Sequence, residues 1–190
     1  ACMRRIVAAP TAGACGVLPA VLLPLCRYEE LSQHQLLEAL YVASGIGAVI
    51  AYRACIAGAS GGCQAEIGTA SAMAAGALVA LRGGSGEQIG HAVAMALKNL
   101  LGLACDPVAG LVEFPCIQRN VTASVMAAAA ANLAMKGVRS PIPLDETIKA
   151  MLDVGQALPA SLRCTCEGGL CATPTGRQLA LQAEKCKARK

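Results

Sequence analysis

Aromatic side chains are nearly missing from this 190-residue chain, which has no tryptophan, one phenylalanine and three tyrosines. A β-sandwich or barrel is therefore a poor reading, because pleated faces are filled by aromatic and β-branched residues. Charge is sparse as well, at 15% of residues. So little charge beside so many apolar residues excludes a disordered chain. The glycines keep no third-residue period, which excludes a collagen-like rod. Long unbroken apolar runs are also lacking. The longest uncharged stretch, 6–26, is punctuated by Pro10, Gly13, Gly16, Pro19 and Pro24. The runs 39–52, 67–81 and 121–135 are shorter than the roughly 20 residues a spanning helix needs. Arg4 and Arg5 precede an apolar stretch, but the prolines break it and no small-x-small cleavage site follows. The expectation is a cytoplasmic protein without membrane insertion. The net charge of +4 is modest. Lys185, Lys187, Arg189 and Lys190 read as a solvated basic terminus, so no nucleic-acid partner is expected.

What the chain has instead is alanine, at 39 positions, with 20 glycines and a 55% hydrophobic composition. Small side chains let helices approach closely, so the expected fold is all-α, a compact bundle of about five to seven helices with irregular, cysteine-bearing loops. The length suits one domain, 1–190. Pro10, Pro19 and Pro24 make the first 27 residues irregular by expectation. A helix is expected over 32–57, with Leu36, Leu37, Leu40, Ala43, Ile46, Gly47 and Ile50 as its buried face. The stretch 58–62 reads as a loop, and Cys63 opens a second helix over 64–81. Ser85 with Gln88 forms a capping-box pattern for a third, ending near Leu101. Residues 102–110 are dense in helix breakers. A fourth helix follows 115–120 and ends near Met135, and a shorter one runs from Asp145 to about Ala157. The segment 164–190 reads as a polar, partly irregular tail.

Eleven cysteines are the informative excess. A disulfide framework suits small secreted domains rather than an alanine-rich helical core. Paired C-x₂₋₄-C zinc knuckles are missing. Several cysteines, such as Cys15, Cys26 and Cys55, read as buried thiols, and others are candidates for an iron–sulfur cluster in a reducing compartment. Cys63, Cys105 and Cys116 share a setting at breaker-rich loop–helix junctions. Helix N-termini favour thiolates and anions.

These residues also carry a resemblance. The segments Gly62-Cys63-Gln64-Ala65-Glu66-Ile67-Gly68, Cys105-Asp106-Pro107-Val108-Ala109-Gly110 and Pro115-Cys116-Ile117-Gln118-Arg119-Asn120 resemble signatures of the iron–sulfur-dependent L-serine dehydratases. Ala9-Pro10-Thr11-Ala12-Gly13 precedes them and Gly168-Gly169-Leu170 follows, in the same order. The likeness covers about residues 5–180 and is closest to the α chain or C-terminal catalytic region. It implies a [4Fe–4S] cluster held by Cys63, Cys105 and Cys116, with one open iron acting as Lewis acid. The implied activity is that of an L-serine ammonia-lyase. Thr11, Gly13, Arg119 and Asn120 become the substrate-binding candidates, although Arg119 reads equally as half of an internal ion pair. The resemblance further implies a β chain or β domain as partner, an oligomer, and a longer α chain of which this sequence is a piece. No base is assigned. His34 and His91 sit on expected amphipathic helices without a motif, which leaves Glu66, Glu113 and His91 as fallbacks. Cys164-Thr165-Cys166-Glu167-Gly168-Gly169-Leu170-Cys171 is a competing metal-binding segment, read here as free thiols, and Cys186 matches no ligand position. Two other functions stay open: a cysteine desulfidase with similar signatures, and a non-enzymatic iron–sulfur or zinc-binding sensor or scaffold.

Overall fold

Two serines set sharply defined helix starts. Ser32 and Ser85 each accept a hydrogen bond from the backbone three residues on, and Gln35 and Gln88 return it. Such reciprocal caps satisfy amide groups that a helix start leaves unpaired. The computed structural model describes residues 5–187. Among these residues the regular structure is all helical, with one isolated bridge between Cys105 and Arg163. The helices are α1 (Val17–Tyr28), α2 (Gln33–Arg53), a four-residue turn α3 (Gly58–Gly61), α4 (Thr69–Leu81), α5 (Gly86–Lys98), α6 (Cys116–Met135), α7 (Leu144–Ala157) and α8 (Pro174–Lys187).

Helix α4 is the axis of the molecule. Every residue from Thr69 to Val79 is buried, and α1, α2, α5 and α6 pack around it. Alanine makes this possible, because Ala70, Ala72, Ala74, Ala75 and Ala77 let neighbours approach from all sides. A single core cluster joins α4 to Leu22 of α1, Ile50 of α2, Leu97 of α5, Ala127 of α6 and Met151 of α7.

The structure corrects several expectations. Residues 17–28 are helical, not irregular. Pro19 lies in the first turn, where its missing N–H bonds nothing anyway, and Val17, Leu18 and Leu22 bury against the core despite Pro24. The stretch 58–61 is a helical turn, and residues 64–68 form a π-turn before α4 rather than its first α-turn. Helix α5 stops at Lys98, three residues early. On α2 the contact with α4 runs through Ala39, Ala43, Gly47 and Ile50. A seam of small residues is narrow, so Leu37 and Leu40 fall outside it and are exposed. The expected tail is partly a helix, α8, which starts on a proline and lies against the turn Val108–Gly110. Its polar composition left little apolar period to read. Helix α2 is, by length and composition, apolar enough to cross a membrane, whereas the uncharged run within it is too short. It carries Glu38 and ends on Arg53, and its small-residue face packs on α4.

Candidate active site

Three chain segments meet at one end of α4. Cys63 precedes the π-turn Gln64–Gly68, a departure from α-helical winding frequent at functional sites. Gln64 fixes that turn from four directions. Its backbone N–H donates to Leu103 O at 3.0 Å, its amide donates to Gly61 O at 3.0 Å and Met151 O at 2.8 Å, and Gly102 N–H donates to its Oε1 at 2.9 Å. Cys105 is held by the bridge, where its N–H donates to Leu162 O at 2.8 Å and its carbonyl accepts from Cys164 N–H at 2.6 Å. Cys116 is the first residue of α6. The three side chains are 2%, 5% and 7% exposed, so their sulfurs are withdrawn from water.

The thiols share one electrostatic environment. Cys63 and Cys105 are hydrogen-bonded, and Cys116 feels the charge of Cys63. The hydrogen bond from Cys105, then Arg119, hold Cys63 below the ordinary thiol range against burial and Glu66. Cys105 is correspondingly raised, first by that hydrogen bond and then by burial. Burial pushes Cys116 up to about 11. Cys63 thus faces the Arg119 guanidinium. Arg119 Nη1 donates to Ala104 O at 2.8 Å, and Nη2 lies 2.9 Å from Asp106 Oδ1. Burial works against the Arg119 charge, but Cys63 and Asp106 outweigh it and strengthen its hold on the proton. Asp106 is 4% exposed and also accepts from Leu170 N–H at 2.8 Å, tying the Gly169–Ala172 turn to the site.

The N-terminal segment closes the opposite side. Thr11 Oγ1 donates to Glu66 Oε1. A Cβ on Gly13 would stand 2.8 and 2.9 Å from the two Glu66 oxygens, so only glycine lets that carboxylate lie flat against the backbone. A Cβ on Gly58 would lie 2.7 Å from Cys105 Sγ and 3.4 Å from Glu66 Oε2, so thiol and carboxylate both border the space that this glycine leaves empty. Asn120 is spent on fixing this segment. Its amide donates to Gly13 O at 2.8 Å and Cys116 O at 2.9 Å, and its Oδ1 accepts from Gly16 N–H at 3.0 Å. A cleft of about 530 Å³ opens alongside, lined by Gly13, Cys15, Glu113, Asn120 and Val121 among others.

The structure thus brings together Cys63, Cys105, Cys116, Thr11, Gly13, Arg119 and Asn120. Two members of the site had no role assigned from sequence: Asp106, the partner of Arg119, and Glu66, which was only a fallback base. Both lie inside the quoted motifs, beside or three residues after a cysteine, but nothing local tells a site carboxylate from a solvated one. The histidines stand elsewhere. His34 pairs with Glu38 on an exposed part of α2, and His91 lies by Glu87 and Ser140. In the tail, Cys164 contacts Cys105, while Cys166 and Cys171 both donate to Pro107 O, at 3.4 and 2.9 Å. Burial, then Cys166, pushes Cys171 up to about 12. Cys2 lies outside the described residues, as does the side chain of Cys186. Among the described residues no three His, Cys, Asp or Glu side chains are grouped to hold a single metal ion. A four-iron cluster makes a different demand, since each thiolate binds its own iron.

Comparison with known proteins shows the family. The family model described as serine dehydratase alpha chain matches residues 1–171. A probable L-serine dehydratase alpha chain of Latilactobacillus sakei is 52% identical over 182 residues, covering 96% of this chain and 87% of that one. A similarly described alpha chain of Bacillus subtilis (strain 168) is 50% identical over 179 residues, 94% of this chain but 60% of its own length. L-serine dehydratase 2 of Escherichia coli (strain K12) is 44% identical over 168 residues, only 37% of its length. The chain therefore spans from about a third to most of the relatives it matches. With a family match over residues 1–171, the chain belongs to the serine dehydratase alpha chain family.

Proposed function

We propose that this chain is the cluster-bearing part of an L-serine ammonia-lyase, which converts L-serine to pyruvate and ammonia. The observation that carries the proposal is the approach of three buried thiols from three separate chain segments, with Arg119 against one of them. Three soft donors withdrawn from water suit a [4Fe–4S] cluster held by Cys63, Cys105 and Cys116 and leave one iron without a protein ligand. When bound, that group supplies a Lewis acid that makes the β-hydroxyl of serine a workable leaving group.

The residues of the chain do the rest. Arg119 offsets the negative charge of the thiolates, and Asp106 fixes its fork. Burial of the sulfurs keeps bulk water away and strengthens these interactions. Asn120 holds the Thr11–Gly13 segment over the site, where the Thr11 hydroxyl and the bare Gly13 backbone seat the Glu66 carboxylate. Release of 2-aminoacrylate completes the protein's part, because this enamine tautomerises and hydrolyses in water. The names of the relatives, "alpha chain" in several cases, support a β chain or β domain as partner. Anaerobic reconstitution of the complete enzyme, followed by a pyruvate assay with L-serine and with L-cysteine, tests the reading. Turnover of serine in preference to cysteine is expected. Bound iron and sulfide with no turnover of either substrate would point to a sensor, and preference for cysteine to a desulfidase.

A further inference from the structure

A dehydration of serine needs a group that removes the α-proton, and the site offers few. Asp106 is locked between Arg119 and Leu170 N–H. His34 and His91 lie on α2 and α5 with partners of their own. The three thiols are assigned to iron. Glu113 stands on the cleft wall without a hydrogen bond to any of these groups among the described residues.

Glu66 is placed differently. It lies on the π-turn that begins after Cys63, is half-buried, and acts electrostatically on both Cys63 and Cys116. One oxygen is fixed by the Thr11 hydroxyl, and the other borders the space left by Gly58, 3.4 Å from where a Cβ would stand, with Cys105 Sγ 2.7 Å from the same point. Glycine at 13 and 58 keeps side chains out of the space around both oxygens. Among the described residues Glu66 accepts only from the neutral Thr11 hydroxyl, whereas Asp106 is taken up by a guanidinium and a backbone N–H.

We propose that Glu66 is the catalytic base of the reaction, and that Thr11 is its positioning residue; the proposal rests on the serine reading above. The Cα–H bond of serine breaks and its proton passes to a Glu66 carboxylate oxygen. The released electron pair forms the Cα=Cβ bond while the Cβ–O bond breaks. The departing hydroxide takes up that proton as water, so Glu66 returns to its carboxylate and 2-aminoacrylate remains.

The test is made on the complete, anaerobically reconstituted enzyme. Glu66→Gln keeps the shape and removes the basicity. It should lower kcat for pyruvate formation by about 100-fold or more, the usual range for a general base. Iron and sulfide content, and L-serine binding by calorimetry, should stay at the wild-type level. Thr11→Val should lower kcat by about 10-fold with KM little changed, and Thr11→Ser should restore it. Unchanged kcat in Glu66→Gln would overturn the proposal. So would a raised KM alone, which means the carboxylate binds the substrate ammonium, and so would loss of iron, which means a structural role. Absence of serine turnover in the wild-type holoenzyme would instead overturn the serine reading itself, so the two failures are distinguishable.

Discussion

Replacing Asp106 by alanine should destabilise the metal-free protein by about 3–5 kcal/mol, the usual cost of breaking a buried ion pair by removing one partner. The carboxylate is 4% exposed and the Arg119 side chain 17%, so little water can replace it. Without it, Arg119 keeps only Ala104 O as a hydrogen-bond partner, and Leu170 N–H loses its acceptor. Two elements are loosened at once: the start of α6 and the turn Gly169–Ala172. Urea unfolding should show the midpoint falling with little change in slope. Asp106→Asn keeps an acceptor for Leu170 but loses the charge, so it should fall between the two. The double variant Asp106→Ala/Arg119→Met should be more stable than the sum of its singles, because the uncompensated guanidinium has gone as well. A loss under about 1 kcal/mol for Asp106→Ala would place this pair among solvated surface bridges.

Air should abolish the activity of the reconstituted enzyme before it unfolds the protein, and Fe²⁺ with a reductant should restore it. An iron that substrate reaches is reached by dioxygen too, so the position without a protein ligand is the one lost first. The fold does not share that vulnerability, since its core is the alanine-rich packing around α4. Circular dichroism should therefore stay native while activity disappears. Simultaneous loss of helicity and activity would mean that the cluster is a structural staple.

The helical class was legible because alanine, glycine and the near absence of aromatics admit few other cores. The Ser85 helix start was legible for a local reason, since its cap is written in four consecutive residues. Helix α1 was not, because proline rules describe isolated helices, whereas burial of Val17, Leu18 and Leu22 is a tertiary effect. The three cysteines stood out by their shared setting. That Arg119 finds Asp106 follows from how α6 lies against the 102–107 segment, and no spacing along the chain encodes that. Glu66 was hidden for a similar reason. Its significance comes from Thr11, Gly13 and Gly58, which the fold delivers from two other segments.

The central claim is that Cys63, Cys105 and Cys116 hold the iron and the tail thiols do not. The direct measurement is the iron and sulfide content of single-cysteine variants after anaerobic reconstitution, with far-ultraviolet circular dichroism confirming the fold of each. Cys63→Ser, Cys105→Ser and Cys116→Ser should each lose the cluster and all pyruvate formation, whereas Cys164→Ser, Cys166→Ser and Cys171→Ser should retain both. Folded tail variants that lose iron, beside a Cys105→Ser protein that keeps it, would place the metal in the 164–171 segment and contradict the account.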